Sequence, residues 1–297
     1  MSASSATPSG TRGAVVAPSI TDLVENCPTL GTLPSVYHRI TEVMCDPYSS
    51  SGDFGAVVSE DPGLTARLLR LVNSAFYNVP SEIDSVTQAL SVIGTEQLYD
   101  LVLATSVISM FNDVPAELVD MESFWRHSLA TGVTCRVLAT ERGEANVERL
   151  FVAGLLHDIG RLLMFMGNPK ESIECMRRAQ DEGHLVYKLE EERMGYDHAK
   201  VGQALLNAWR LPDSLQEPVE FHHDPKNARR FGIDAAIVHV ADITAHSLLL
   251  GHSGEQHIPP LSDAAWYRVD GAISISPATF AEIEIQYSAA VRAILGD

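Results

Sequence analysis

From Ser19 onward, apolar residues return at intervals of three and four, the spacing of one face of an α-helix. The sharpest start signal is Asp61 followed by Pro62, a capping side chain ahead of a proline that suits the first helical turn. Beyond it Leu64, Leu68, Leu71 and Val72 fall at i, i+4, i+7 and i+8, one stripe that a neighbouring helix must cover. The pattern repeats in LSVIGTEQLYDLVLATSVISMF, WRHSLATGVTCRVLA, FVAGLLHDIGRLLMFM, HAKVGQALLNAWRL, DAAIVHVADITAHSLLL and FAEIEIQYSAAVRAIL, while strand-like alternation is scarce. Breaks rich in Gly, Pro, Asn or Asp fall at Asn112 to Pro115, Gly143 to Asn146, Gly167 to Pro169, Leu211 to Asp213 and Asp224 to Asn227. The expected fold is all-α, a multi-helix bundle divided near residues 112–120. Residues 1–18, rich in Ser, Ala, Gly and Pro and without periodicity, read as a flexible leader.

Composition supports a packed protein. Hydrophobic residues make up 45% of the 297 and charged residues 20%, enough apolar surface to offset the ordering entropy. The formal net charge of −18 opposes nonspecific attraction to nucleic acid or to an anionic membrane, so neither is an expected partner. Cys27, Cys45, Cys135 and Cys175 are widely spread and form no CxxC pair, so neither a zinc ribbon nor a disulfide framework is suggested, and a reducing cytoplasm fits best. No uninterrupted apolar run reaches the roughly 18 residues of a membrane span, and the N-terminus lacks the apolar core of a signal peptide.

Histidine carries the candidate chemistry, because several of the 11 stand in otherwise apolar helices where an unpaired imidazole is costly. His157-Asp158 lies in AGLLHDIGRLL, a segment apolar nearly all round. A carboxylate buried there needs compensation, either a metal ion or a plain hydrogen bond from the imidazole. His127, His198, the pair His222-His223 and Asp242 extend the dyad to a set of nitrogen and oxygen donors without a thiolate. That chemistry suits iron, manganese, zinc or magnesium in an open site of one or two ions. His184, His246, His252 and His257 read as surface or loop residues, with His38 and His239 alike. Trp125 and Trp209 read as core, and Asn73-Ser74 as a helix end.

The order His127, His157-Asp158, His198 with Gly202 four residues on, His222-His223 and Asp242 resembles the HD superfamily of metal-dependent phosphohydrolases, especially its HD-GYP branch. From about Leu30 to Asp242 the chain resembles more specifically the HDOD domain, the HD-related output domain of bacterial signalling proteins. The matching stretches are LPSVYHRI, VVSEDPGLTARLLRLVNSAFY, ALSVIGTEQLYDLVL, WRHS, LLHDIGRLL, HAKVGQALLNAWRLP and VEFHH. The resemblance implies an N-terminal helical lobe over residues 19–115, an HD-like metal-binding lobe over 116–255, and a C-terminal extension with a terminal helix over 256–297. It implies a divalent cofactor, iron or manganese with zinc as the alternative, held by the seven residues just named. A signal-transduction output acting through a signalling protein or a small phosphorylated ligand is expected. The alternative is a metal-dependent phosphohydrolase acting on a phosphate ester or nucleotide, with Asp158 and Arg161 as catalytic candidates and Arg161 and Lys226 as phosphate-binding candidates. Arg161 stands where the hydrolytic branch has lysine, and DPKNARRFGIDAA follows His223 where that branch has its glycine-tyrosine-proline signature. Little or no hydrolysis of cyclic di-GMP is expected.

Overall fold

The computed structural model describes residues 17–26, 33–111, 114, 119–269 and 275–296. Apart from residues 17 and 18, the expected leader lies outside them, as does the break at Asn112 to Pro115 apart from Val114. The described residues form helices and connecting turns with no strand, the all-α fold expected.

The first six helices are α1 (Ile20–Glu25), α2 (Ser35–Cys45), α3 (Ser51–Ser59), α4 (Pro62–Val72), α5 (Val86–Ile93) and α6 (Thr95–Met110). At the start of α4 the Asp61 carboxylate accepts the Leu64 backbone N–H at 2.9 Å, and Pro62 occupies the first turn. The α4 stripe is sealed, with Leu64, Leu68, Leu71 and Val72 all at most 1% exposed. Asn73 ends that helix, and its amide clamps both backbone groups of Ile83 at 2.7 Å each, a structural role.

The longest helix, α7 (Met121–Arg142), is buried over most of its circumference and stops where Gly143 turns left-handed at φ 78°. Around it lie α8 (Val147–Leu156), α9 (Ile159–Gly167), α10 (Pro169–Glu182), α11 (Val186–Met194), α12 (His198–Ala208) and α13 (Asp213–Glu220). A 3-10 turn at Pro225–Asn227 then leads to α14 (Gly232–Ser247), α15 (Asp263–Val269) and α16 (Pro277–Ile294). Helix α7 packs most heavily on α8 and α14, α9 on α12, and α16 joins α7 to α4. Helix α1 packs on α12 and α9, and the Tyr196 hydroxyl donates to the Pro18 carbonyl at 2.7 Å. One continuous apolar core runs through both halves of the chain and takes in Trp125 and Trp209, as expected.

Val147–Gly167, spanning α8 and α9, has the length of a membrane-crossing segment, and its most apolar 18-residue window has a mean hydropathy of 1.5, although charged residues interrupt it. Its most apolar window is 89% buried inside the protein, so other helices cover the apolar surface that a membrane would otherwise cover.

Candidate metal centre

The two core helices α8 and α9 meet at the dyad. His157 and Asp158 form a turn between them, rather than lying within one helix as the apolar run suggested. The cause is local: His157 Nδ1 lies 2.7 Å from the Gly154 carbonyl oxygen, taking the acceptor that the next turn of helix would use. Around this turn, α7 contributes His127, the first residue of α12 is His198, the chain after α13 supplies His222 and His223, and α14 carries Asp242. His127, His157, His198 and His222 are fully buried, Asp158 and Asp242 nearly so, and His223 is partly open. All seven expected ligands therefore converge.

Their geometry centres on two carboxylates. Asp158 Oδ1 lies 2.9 Å from His198 Nε2, 3.1 Å from Arg161 Nε and 3.9 Å from His222 Nε2, while Oδ2 lies 3.4 Å from His157 Nε2. Asp242 Oδ1 lies 3.1 Å from His127 Nε2 and 3.5 Å from His157 Nε2, which places His157 between the two acids. His223 Nε2 is 2.9 Å from His198 Nε2, and its ring is stacked on Tyr187.

Backbone and carboxylate acceptors fix the imidazole tautomers. Nδ1 of His222 lies 2.7 Å from the Val219 carbonyl, as that of His157 does from Gly154. Each Nδ1 must therefore carry and donate a proton, which turns Nε2 towards the cluster; in His222, which burial keeps neutral, Nε2 holds its lone pair. His198 Nδ1 lies 2.6 Å from Oε2 of Glu190, a buried α11 residue whose same oxygen accepts the His198 backbone N–H at 3.0 Å. After these bonds, His157 Nε2, His222 Nε2, both nitrogens of His127, Asp158 Oδ1 and Asp242 Oδ1 are buried with no hydrogen-bond partner among the described residues. Each such orphan costs about 1–3 kcal/mol, and here they face one another. A divalent ion satisfies this donor set, and imidazole with carboxylate suits iron, manganese or zinc. The residues fit the group.

Protonation is uneven across the cluster. Burial lowers His127 to about 4 despite Asp242, and burial with the neighbouring His157 and His198 lowers His222 to about 3. Burial also acts to lower His157 and His198, but Asp158 and Asp242 carry the first up to about 10, and Glu190 and Asp158 carry the second to about 9. Arg161 is 2% exposed; burial opposes its charge, yet Asp158, Glu190 and Glu255 hold it protonated. It braces Asp158 from within and does not face solvent. Lys226 is exposed and paired with Asp224 at 3.4 Å, in a cleft of about 390 Å³ that His223 also lines. It has no ion pair with the buried cluster among the described residues.

Sequence reasoning missed three buried residues. His246, expected at the surface, is 8% exposed, with its ring 4.4 Å from that of His127. The signal was its place four residues after Asp242, one turn along the same face. His239, also expected outside, is buried: Nδ1 donates to the His222 carbonyl at 2.7 Å and Nε2 accepts from the Ser262 N–H at 3.0 Å, fixing the loop that presents His222. Glu190 carried no local signal. His38, His184 and His252 are exposed, as expected.

A family model of the HDOD domain matches residues 30–225. The chain belongs to the HDOD domain family. Similar in fold is an HDOD domain protein of unknown function from Geobacter sulfurreducens, 24% identical with a TM-score of 0.72 over 92% of this chain and 99% of that one. A Shewanella amazonensis SB2B protein named as a candidate phosphohydrolase is 24% identical with a TM-score of 0.72, covering 93% of this HDOD chain and 97% of its own. At these identities the likeness concerns the fold. An uncharacterized protein of Treponema pallidum (strain Nichols) is 25% identical over 214 residues, 72% of this chain, and the chain spans 40% of that protein's length.

Proposed function

We propose that this HDOD chain is a signal-transduction output module that holds a divalent metal in the His-Asp centre and acts mainly by binding a partner protein. The observation that carries the metal reading is the set of orphaned nitrogen and oxygen atoms buried around Asp158 and Asp242. A bound ion would supply the positive charge that lets these carboxylates and lone pairs remain together, and Lewis acidity besides. His127, His157, Asp158, His198, His222, His223 and Asp242 would hold it, while Glu190 and Arg161 orient His198 and Asp158.

Access supports a binding module over a phosphohydrolase. The cleft that reaches His223 carries Glu191, Asp197, Glu220 and Asp224 against Lys200 and Lys226. Both lysines already pair with acids of the same cleft, Lys200 with Glu191 at 2.9 Å and Lys226 with Asp224. A negative mouth repels a phosphate ester and admits a cation. In the module the ion ties together α7, the α8–α9 turn, α12 and α14, linking occupancy to the stability of the partner-facing surface by mass action. Cys45, Cys135 and Cys175 are free thiols, which suits the cytoplasm.

Elemental analysis of protein purified without added metal, with an absorption-edge scan on crystals, tests the reading. Stoichiometric iron, manganese or zinc is the expected result. A protein that purifies without transition metal, and whose melting curve does not move when these ions are added, overturns it.

A further inference from the structure

We propose that His246 is a metal ligand, forming with His127 and Asp242 one end of a two-ion centre whose other end is His198, His222 and His223. This rests on the metal reading above and specifies its ligands. The donor atoms within each of these two groups lie within 4.8 Å of one another. At the α7–α14 end, Asp242 Oδ1 is approached by His127 Nε2 at 3.1 Å and by His246 Nε2 at 3.3 Å.

A hydrogen-bonded His-Asp-His cluster is the plain alternative, and the geometry speaks against it. Both nitrogens of His127 and Oδ1 of Asp242 remain without a hydrogen-bond partner, although their separation is short enough for one. The atoms converge without the alignment that an N–H donor requires. Converging lone pairs on two imidazoles and one carboxylate are a set that divalent iron, manganese or zinc accepts. His157 Nε2, 3.5 Å from Asp242 Oδ1 and 3.4 Å from Asp158 Oδ2, stands between the two ends.

The two ends also face different clefts. His246 lines one of about 760 Å³ between the start of α7 and the chain after α14, and shares no lining residue with the cleft at His223. The turn beside His246 is held in place. Gly251, at φ +81°, packs so closely on α7 that a Cβ would lie 2.6 Å from the His127 backbone nitrogen, and the His252 N–H donates to the Ser123 hydroxyl at 3.0 Å. An ion can therefore reach each end from its own side, and the His246 end is built on a fixed frame.

The test loads wild type, His246→Gln, His246→Ala and His223→Ala with zinc or cobalt, removes loose ions by gel filtration, and counts the bound metal. Cobalt absorption reports the ligand field. About two equivalents are expected in wild type and about one in each variant, with the His246 and His223 variants losing cobalt bands of different shape. The glutamine variant keeps the side-chain volume, and a melting curve in chelator matching that of chelated wild type shows that it folds. Retention of wild-type stoichiometry and affinity by His246→Gln overturns the assignment while leaving the metal centre intact. Absence of bound metal in wild type removes both.

Discussion

Gly160 of α9 lies directly against the backbone of His198 at the start of α12. A Cβ on Gly160 would overlap the His198 carbonyl oxygen and stand 2.5 Å from the Gly202 nitrogen. Nothing at that contact is a flexible side chain that could yield. The approach lets Asp158, two residues before Gly160, bring Oδ1 to 2.9 Å from His198 Nε2.

Gly160→Ala is therefore expected to force α9 and α12 apart, destabilising the protein by about 1–3 kcal/mol, the usual cost of overpacking. It should weaken metal retention as well. Urea melts beside wild type measure the first effect and bound metal per chain the second; an unchanged midpoint contradicts the packing argument.

Glu190→Gln tests the support behind His198. The carboxylate oxygen accepts both the His198 backbone N–H and its Nδ1 proton, so the amide loses the charge that keeps Nε2 basic and aimed at Asp158. A loss of about 10- to 100-fold in metal affinity is expected, with the far-ultraviolet spectrum unchanged. Competition against a chromophoric chelator reads it.

Chelation should lower the melting temperature, because an ion bound only by the folded state adds about 2.7 kcal/mol at a hundredfold excess over its dissociation constant. Asp158→Ala should reduce that sensitivity, since Asp158 lies within 4 Å of His157, His198 and His222, while the His127-Asp242-His246 end remains. Differential scanning calorimetry with and without chelator decides; equal shifts in both proteins point away from Asp158 as a ligand.

Asp100 offers a pH test far from the metal centre. Burial raises its pKa to about 7, although the Asn146 side chain and the Arg149 charge pull it back. The folded protein thus holds a proton there from about pH 4 to 7, where the unfolded chain has lost it. The folded state binds more protons in that window, so the contribution of Asp100 to stability falls as pH rises through it. Asp100→Asn should be more stable than wild type at pH 8 by on the order of 1–4 kcal/mol, with the difference vanishing near pH 4. Denaturant melts at the two pH values check it.

What could be read from the chain alone was what depends on periodicity and local chemistry. The helical stripe of Leu64, Leu68, Leu71 and Val72, the Asp61-Pro62 start and the Gly143 stop report on near neighbours, and each stands in the structure as the spacing predicts. The ordered His and Asp residues were also legible, because an imidazole or carboxylate in an apolar run demands a partner wherever the fold places it. Which partners meet was decided by tertiary packing. His246 reads as a surface or loop residue until α14 lies on α7 and brings its ring to His127. Glu190 is one acid among several in α11, distinguished only once α12 begins beside it. Lys226, basic and near the paired histidines in sequence, is turned by the Pro225–Asn227 turn towards Asp224 and solvent. Sequence determined that a polar, metal-suited cluster had to be enclosed by helices; contacts between residues far apart in the chain, set by the core packing, decided which side chains enclose it and from which sides it can be reached.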